Sequence, residues 1–367
     1  MSLVGLFPLL DELPEYGELR RRLSEGKGVQ AKLPEAIKPF ALTALWKGLG
    51  RTLIVITSRQ ETARQLFDQL CSYAGNVPEI QLLPEPDFLP YERSAPDRST
   101  VQQRLRVLSS LAAGEAPLVV APVYAAVART IPPDDLRANT ITVKRGEKAD
   151  LMDLLRRWEA MGYQMEPSVE VAGTMSRRGG ILDIYPLSND YPVRIELFGT
   201  NIESLRLFDP GNQRSLEQVQ SVIIGPAAEM LARGKSALGE RLDLRGMSPE
   251  AKDKLADELR MVADGQAFEE MTFYGPLVNS ATLLDYASRD AVIVLDEPAL
   301  VRQALDDVVD QGKELKEELL AKKELPRNFP PFLLTAPELD KRMKAHARLL
   351  RFESFQAPGP SESRRAA

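Results

Sequence analysis

Three short apolar runs constrain the fold of this chain more than any other feature of its sequence. They are Arg51-Thr52-Leu53-Ile54-Val55-Ile56-Thr57, Leu118-Val119-Val120-Ala121-Pro122 and Ala291-Val292-Ile293-Val294-Leu295. Each is rich in β-branched residues and lacks polar alternation, so a strand made from it has no face to give to water. Such strands belong in a parallel sheet covered by helices. Ser58 offers an N-cap to an amphipathic helix carrying Ala63, Leu66, Phe67 and Leu70, and another helix, about 100 to 112, leads into the 118–122 strand. This alternation of strand and helix predicts an α/β fold.

Around Pro132-Pro133 the pattern changes. A helix near 150–161 precedes three short strands, Gly180 to Tyr185, Pro192 to Phe198 and Ile202 to Phe208, with Gly199-Thr200-Asn201 as the turn between the last two. This predicts a small α+β insert over 131–225, which splits a scaffold of residues 1–130 and 226–350. Ser248-Pro249 reads as an N-cap followed by proline at the first helical position. A charged helix follows Lys313, then a break at Pro326, Pro330 and Pro331, then a basic helix on which His346 is expected to be solvated. From about Gln356 the chain is Pro/Gly/Ser-rich, and residues 351–367 are expected to form a flexible tail.

Composition removes several function classes. With one cysteine (Cys71) and one histidine, a zinc cluster or an internal disulfide has no ligands to draw on, and the lone thiol fits a reducing cytoplasm. No run is long enough to span a bilayer. The formal net charge of −6 argues against a dedicated DNA-binding module.

The third apolar run ends in Asp296-Glu297. An apolar strand ending in acids is the Walker B pattern, in which the acids hold magnesium and orient water, and it is equally an ordinary strand end. The pattern needs a partner loop, G-x-x-x-x-G-K-[ST], whose glycines let backbone N–H groups close on phosphates. The nearest segment is Lys32-Leu33-Pro34-Glu35-Ala36-Ile37-Lys38-Pro39, placed to follow a first strand and open a helix. Only Lys38 fits. Lys32 and Ile37 replace both glycines, Pro39 replaces the hydroxyl and has no N–H to give, and Glu35 adds negative charge. Lys38, Asp296 and Glu297 therefore read as a degenerate nucleotide site, with Lys38 expected at the surface.

The insert carries a second signal. In Pro192-Val193-Arg194-Ile195-Glu196-Leu197-Phe198, alternation puts Val193, Ile195 and Leu197 on one face and Arg194, Glu196 and Phe198 on the other. Phenylalanine beside arginine on a polar face is the composition of an interface hot spot. A neighbouring domain covering Phe198, or simple exposure of it, explains the pattern equally well. Truncating Arg194 or Phe198 is expected to leave the fold standing. The basic stretch Arg177-Arg178-Gly179-Gly180 reads as a turn with solvated arginines.

The run Thr174-Met175-Ser176-Arg177-Arg178-Gly179-Gly180-Ile181-Leu182-Asp183-Ile184-Tyr185-Pro186, followed by Val193 to Gly199 and Ile202 to Asp209, resembles the UvrA-binding domain. That domain is shared by excision-repair UvrB proteins and the transcription-repair coupling factor (Mfd) family. Thr282-Leu283-Leu284-Asp285-Tyr286 before Val294-Leu295-Asp296-Glu297 is similar to the same families, and the likeness runs from about residue 20 to 350. The broken phosphate loop departs from UvrB. So does the span Phe88 to Thr100, too short for the long DNA-gripping β-hairpin of UvrB. Both departures select the N-terminal UvrB-homology module of the coupling factor family over the alternative, a truncated or divergent UvrB-like protein.

The resemblance implies a RecA-like, P-loop NTPase-type sheet interrupted by the insert, with UvrA as partner through Arg178, Arg194 and Phe198. It implies no catalytic residue, metal or cofactor in this part of the protein. ATP and magnesium belong to a C-terminal motor of a longer, cytoplasmic DNA translocase, which also meets RNA polymerase and DNA. Other C-terminal domains of the same protein are expected to mask the UvrA surface. The remaining alternative is an active nucleotide hydrolase with a non-standard loop.

Overall fold

The computed structural model describes residues 4–75, 77–231, 238–266 and 268–354. In chain order the strands are β1 (Val29–Leu33), β2 (Leu53–Thr57), β3 (Ile80–Leu82) and β4 (Leu118–Pro122) of the scaffold. The insert holds β5 (Ile141–Lys144), β6 (Gln164–Met165), β7 (Thr174–Arg178), β8 (Ile181–Ile184), β9 (Val193–Phe198), β10 (Asn201–Phe208), β11 (Ser215–Gln218) and β12 (Ser221–Ile224). The scaffold resumes with β13 (Val292–Asp296) and β14 (Leu349–Ser354).

The three apolar runs become three neighbouring strands. The scaffold sheet has six strands in the order β1-β14-β13-β2-β4-β3, and every pairing in it is parallel. Both faces are buried. Leu53 and Val55 pack into one core while Ile54 and Ile56 pack into the other, and Leu118/Val120 and Val119/Ala121 divide the same way. Leu19, Leu23, Leu42, Leu45, Leu66 and Leu70 of the helices Pro14–Ser24, Lys38–Leu49 and Gln60–Ala74 cover the first face. The helices Arg98–Ala112, Val123–Val127 and Pro298–Ala321 cover the second. This is the RecA-like α/β arrangement.

The insert has its own core. Its main sheet runs β11-β10-β9-β8-β7-β6, with β12 and β5 as a separate antiparallel pair. Val193, Ile195, Leu182, Ile184 and Leu205 point from one face of the main sheet onto Leu155 and Trp158 of the helix Leu151–Ala160. Asp150 caps that helix by accepting from the N–H groups of Met152 and Asp153. Where the chain re-enters the scaffold, Glu229 accepts a forked bond from the buried Arg104 (2.6 and 3.1 Å) and a third from the Thr130 hydroxyl (2.7 Å).

Several boundaries differ from the sequence reading. Ile131 and Leu136 pack into the scaffold core, and the insert core begins at Ile141. The helix Gln60–Ala74 starts after Arg59, which makes no side-chain cap bond, so Ser58 is not its cap. The charged helix begins at Pro298, well before Lys313. Residues 351–354 of the expected tail are the end of β14, held in register between β1 and β13. The rest of that tail, from 355, lies outside the described residues. His346 caps the C-terminus of the helix Ala336–Ala345 and is partly buried, and burial lowers its pKa. Ser248 caps the helix Pro249–Asp264 as its sequence predicts.

Because the insert core is separate from the two scaffold cores, Ile195→Ala should remove about 2–5 kcal/mol from the insert alone. Hydrogen exchange checks this: amides of β8 to β10 should lose protection while those of β2 and β4 keep theirs.

Candidate functional site

The residues that the sequence reads as a degenerate nucleotide site, Lys38, Asp296 and Glu297, come together at the carboxyl ends of β1, β14 and β13. Residues 35–37 form a tight 3-10 turn rather than an open loop. Ile37 donates its N–H to the Pro34 carbonyl at 3.0 Å, and the Lys38 N–H bonds to the Glu35 carbonyl. Backbone donors that a phosphate loop directs at its ligand are spent inside the turn. Pro39, the second residue of the helix Lys38–Leu49, has no N–H at all.

Lys38 is the largest correction to the sequence reading. It is 2% exposed, not a surface residue. Its Nζ donates to Asp296 Oδ1 at 2.6 Å and Glu297 Oε1 at 2.6 Å, and lies 3.0 Å from Glu35 Oε2. Two further bonds from Ser354 close the cluster, N–H to Glu297 Oε1 and hydroxyl to Glu35 Oε2, both at 2.6 Å. Glu297 stands at φ 54°, a left-handed conformation uncommon for a non-glycine residue, and its N–H donates to the Phe352 carbonyl at 2.9 Å.

Burial works against charge on Lys38, but the hydrogen bonds it donates to Asp296 and Glu297 outweigh it and raise its pKa above the ordinary lysine value. Three carboxylates share this single ammonium. Burial raises the pKa of Asp296, the least solvated of the three, against the pull of Lys38, while the bonds from Lys38 and Ser354 outweigh burial at Glu297 and lower its pKa.

The second candidate site is the outer face of the insert sheet. Strand register places Asp183 opposite Arg194 and Arg194 opposite Arg206. One row further along, Arg178 is opposite Ile181, Ile181 opposite Glu196, and Glu196 opposite Ser204. Phe198 lies two residues beyond Glu196, so Arg178, Arg194 and Phe198 share one face. The opposite face carries the insert core. Phe198 is 74% exposed. Arg178 is exposed too, with one long bond (3.4 Å) to the Pro167 carbonyl.

The turns that end the strands bring these residues close together. Arg178-Gly179-Gly180-Ile181 joins β7 to β8, and Gly199-Thr200 joins β9 to β10, with Gly179 and Gly199 at φ 61° and 60°. At Gly180 a Cβ would stand 2.8 Å from the Leu197 carbonyl oxygen, so only glycine lets β8 approach β9 there.

Arg194 departs from the open surface position that alternation assigns to it. Its side chain is only 18% exposed and makes a two-bond fork to Asp183 (2.8 and 2.9 Å). Removing Arg194 alone leaves a buried carboxylate unpaired, so Arg194→Ala is not structurally neutral. Phe198→Ala should be close to neutral for stability, because the ring stands in solvent, 74% exposed. Sequence reasoning missed Asp183 as a functional candidate. Its signal is the alternation of β8, which turns Asp183 away from the core residues Leu182 and Ile184.

The segment between β3 and the helix Arg98–Ala112 contains no strand, so it has no β-hairpin. Among the described residues no helix is long and apolar enough to cross a membrane.

Comparison with known proteins bears on the insert and on the chain as a whole. Residues 141–230 match the family described as the UvrB interaction domain. The chain is 30% identical over 330 residues, 85% of its length, to the transcription-repair-coupling factor of Bacillus subtilis (strain 168). It is 29% identical over 352 residues (90%) to that of Myxococcus xanthus, and 26% over 306 residues (80%) to that of Staphylococcus aureus (strain MRSA252). It spans 28%, 29% and 26% of those three proteins, respectively.

Lys38→Met should strand Asp296 and Glu297 and lower the unfolding free energy by about 3–5 kcal/mol. Adding Asp296→Asn should recover part of that loss, because the most buried orphan charge is then gone. Denaturant unfolding of the two variants checks both the size and the recovery.

Proposed function

We propose that this chain, a UvrB-homology module related along most of its length to transcription-repair-coupling factors, is a docking module that recruits UvrA through the outer face of its insert. Arg178, Arg194 and Phe198 supply the contacts. The observation that carries the reading is Phe198, a large aromatic ring left in solvent on a face that also presents arginine, within the segment that matches the UvrB interaction domain. An exposed ring of this kind is a ready anchor for a partner pocket.

The nucleotide site supports the same assignment from the other side. A lysine held by Asp296, Glu297 and Glu35 is not free to meet phosphates, and the carboxylates that would hold magnesium are already occupied by its ammonium. We propose that this part of the protein neither binds ATP tightly nor hydrolyses it and needs no cofactor. In the whole protein, ATP-driven translocation on DNA and the meeting with RNA polymerase belong to other parts of the chain. Those parts also include the domains that mask the insert face at rest, in a protein of the cytoplasm.

Two measurements test this. Purified chain with magnesium and ATP should show no turnover above background; turnover that Asp296→Ala abolishes would overturn the docking-only reading in favour of a hydrolase with a non-standard loop. Phe198→Ala should weaken UvrA binding by about 2 kcal/mol or more, roughly thirtyfold, without lowering the melting temperature. Wild-type affinity in that folded variant would move the docking face elsewhere.

A further inference from the structure

Of the two arginines proposed to dock the partner, one is free of ion pairs among the described residues and one is not. Arg178 forms no ion pair among the described residues, and its one bond goes to a neutral carbonyl. Arg194 sits directly across from Asp183, whose side chain is 2% exposed. The fork uses Nε and Nη2 of Arg194, bonded to the two carboxylate oxygens of Asp183. The fully buried Phe208 ring lies under the guanidinium, 4.6 Å from its central carbon. Nη1 takes part in no hydrogen bond among the described residues. Arg194 is therefore fixed on two sides, with one edge left over.

This has two physical consequences. A forked pair at 2.8 and 2.9 Å acts on anything outside it as a dipole, so most of the Arg194 charge is cancelled before a partner arrives. Its rotamer freedom is also already lost on folding, so binding does not have to remove it again. The neighbouring carboxylate, Glu196, is occupied in the same manner by the Ser204 hydroxyl (2.7 Å) and Arg206 (3.2 Å).

We propose that Asp183 is a positioning residue of the docking face: it holds Arg194 over the Phe208 ring so that Nη1 meets a neutral carbonyl oxygen of the partner, while the free charge of Arg178 meets carboxylates. The proposal rests on the reading that this face docks UvrA. It divides the two arginines by the chemistry each recognises. Salt screens the attraction of a net charge far more than that of a cancelled pair, so the salt dependence of docking belongs to Arg178.

The test is UvrA affinity at low and high salt, with melting temperatures, for the whole chain and its variants. Asp183→Asn keeps the shape of the side chain but frees both the rotamer and the charge of Arg194. Affinity at high salt should fall roughly three- to tenfold, the cost of ordering one long side chain on binding. The salt dependence should become steeper, because the face gains a positive charge. In an Arg194→Gln background, Asp183→Asn should change affinity no further, since Asp183 acts only through Arg194. Arg194→Lys, which cannot fork and leaves the net charge of the pair unchanged, should lose affinity at high salt as Asp183→Asn does, without the steeper salt dependence, and keeps the test decisive if that variant fails to fold. Arg178→Ala should flatten the salt dependence.

The positioning role is overturned if folded Asp183→Asn or Arg194→Lys binds UvrA as wild type does at both salts. Additive losses in the double variant overturn it as well. If Arg178→Ala and Phe198→Ala weaken binding in the same experiment, only the positioning role falls. If those two also bind normally, the docking face itself is misplaced.

Discussion

The Lys38 ammonium binds the carboxyl ends of three neighbouring strands into one unit. Glu35 follows β1, Asp296 ends β13, and Ser354 ends β14, which lies between them in the sheet. Apart from the local Lys38–Glu35 pair, the contacts join segments far apart in the chain, 258 residues for Lys38 and Asp296 and 319 for Ser354 and Glu35. A buried lysine is tolerable only where carboxylates are already in place, and buried carboxylates only where a cation is. The cluster therefore forms as a whole or leaves uncompensated charge in the protein. A side chain of the protein itself cross-braces the carboxyl ends of these strands.

The same logic of opposed charge fixed by strand register operates on the insert. Asp183 and Arg194 face each other because β8 and β9 pair in that register, and Gly180 permits the close approach that the register needs. Ion pairs in the two places serve different ends. At Lys38 the paired charges are buried and face inward, and they close a site. At Arg194 the pair lies at the edge of a surface, keeps one donor edge unspent, and stands in the same face as the exposed Phe198 ring. A self-contained insert core holds that face in shape.

Much of this architecture is legible in the sequence, where local pattern and burial agree. The runs that become β2, β4 and β13 lack a polar face, and they occupy the middle of the sheet. Alternation in β9 assigns Val193 and Ile195 to the core and Phe198 to the surface, as found. Failures occur where the deciding interaction is non-local. Nothing within several residues of Lys38 signals burial, because its two closest partners, Asp296 and Glu297, come from the other half of the chain. Strand β14 escaped notice because Arg351 and Glu353 break its apolar run and a Pro/Gly/Ser-rich stretch follows directly. The fork on Arg194 depends on strand register, which periodicity within a single strand does not contain.

A crystal structure of the chain grown with millimolar magnesium and ATP tests most directly whether an internal lysine occupies the place of a nucleotide phosphate. In that crystal Lys38 Nζ should still be bonded to Asp296 and Glu297, residues 35–37 should still be wound in their tight turn, and no phosphate density should stand at the head of the helix that begins at Lys38. Ordered phosphates at that position, with Lys38 turned away from its carboxylates to meet them, would contradict that occupancy.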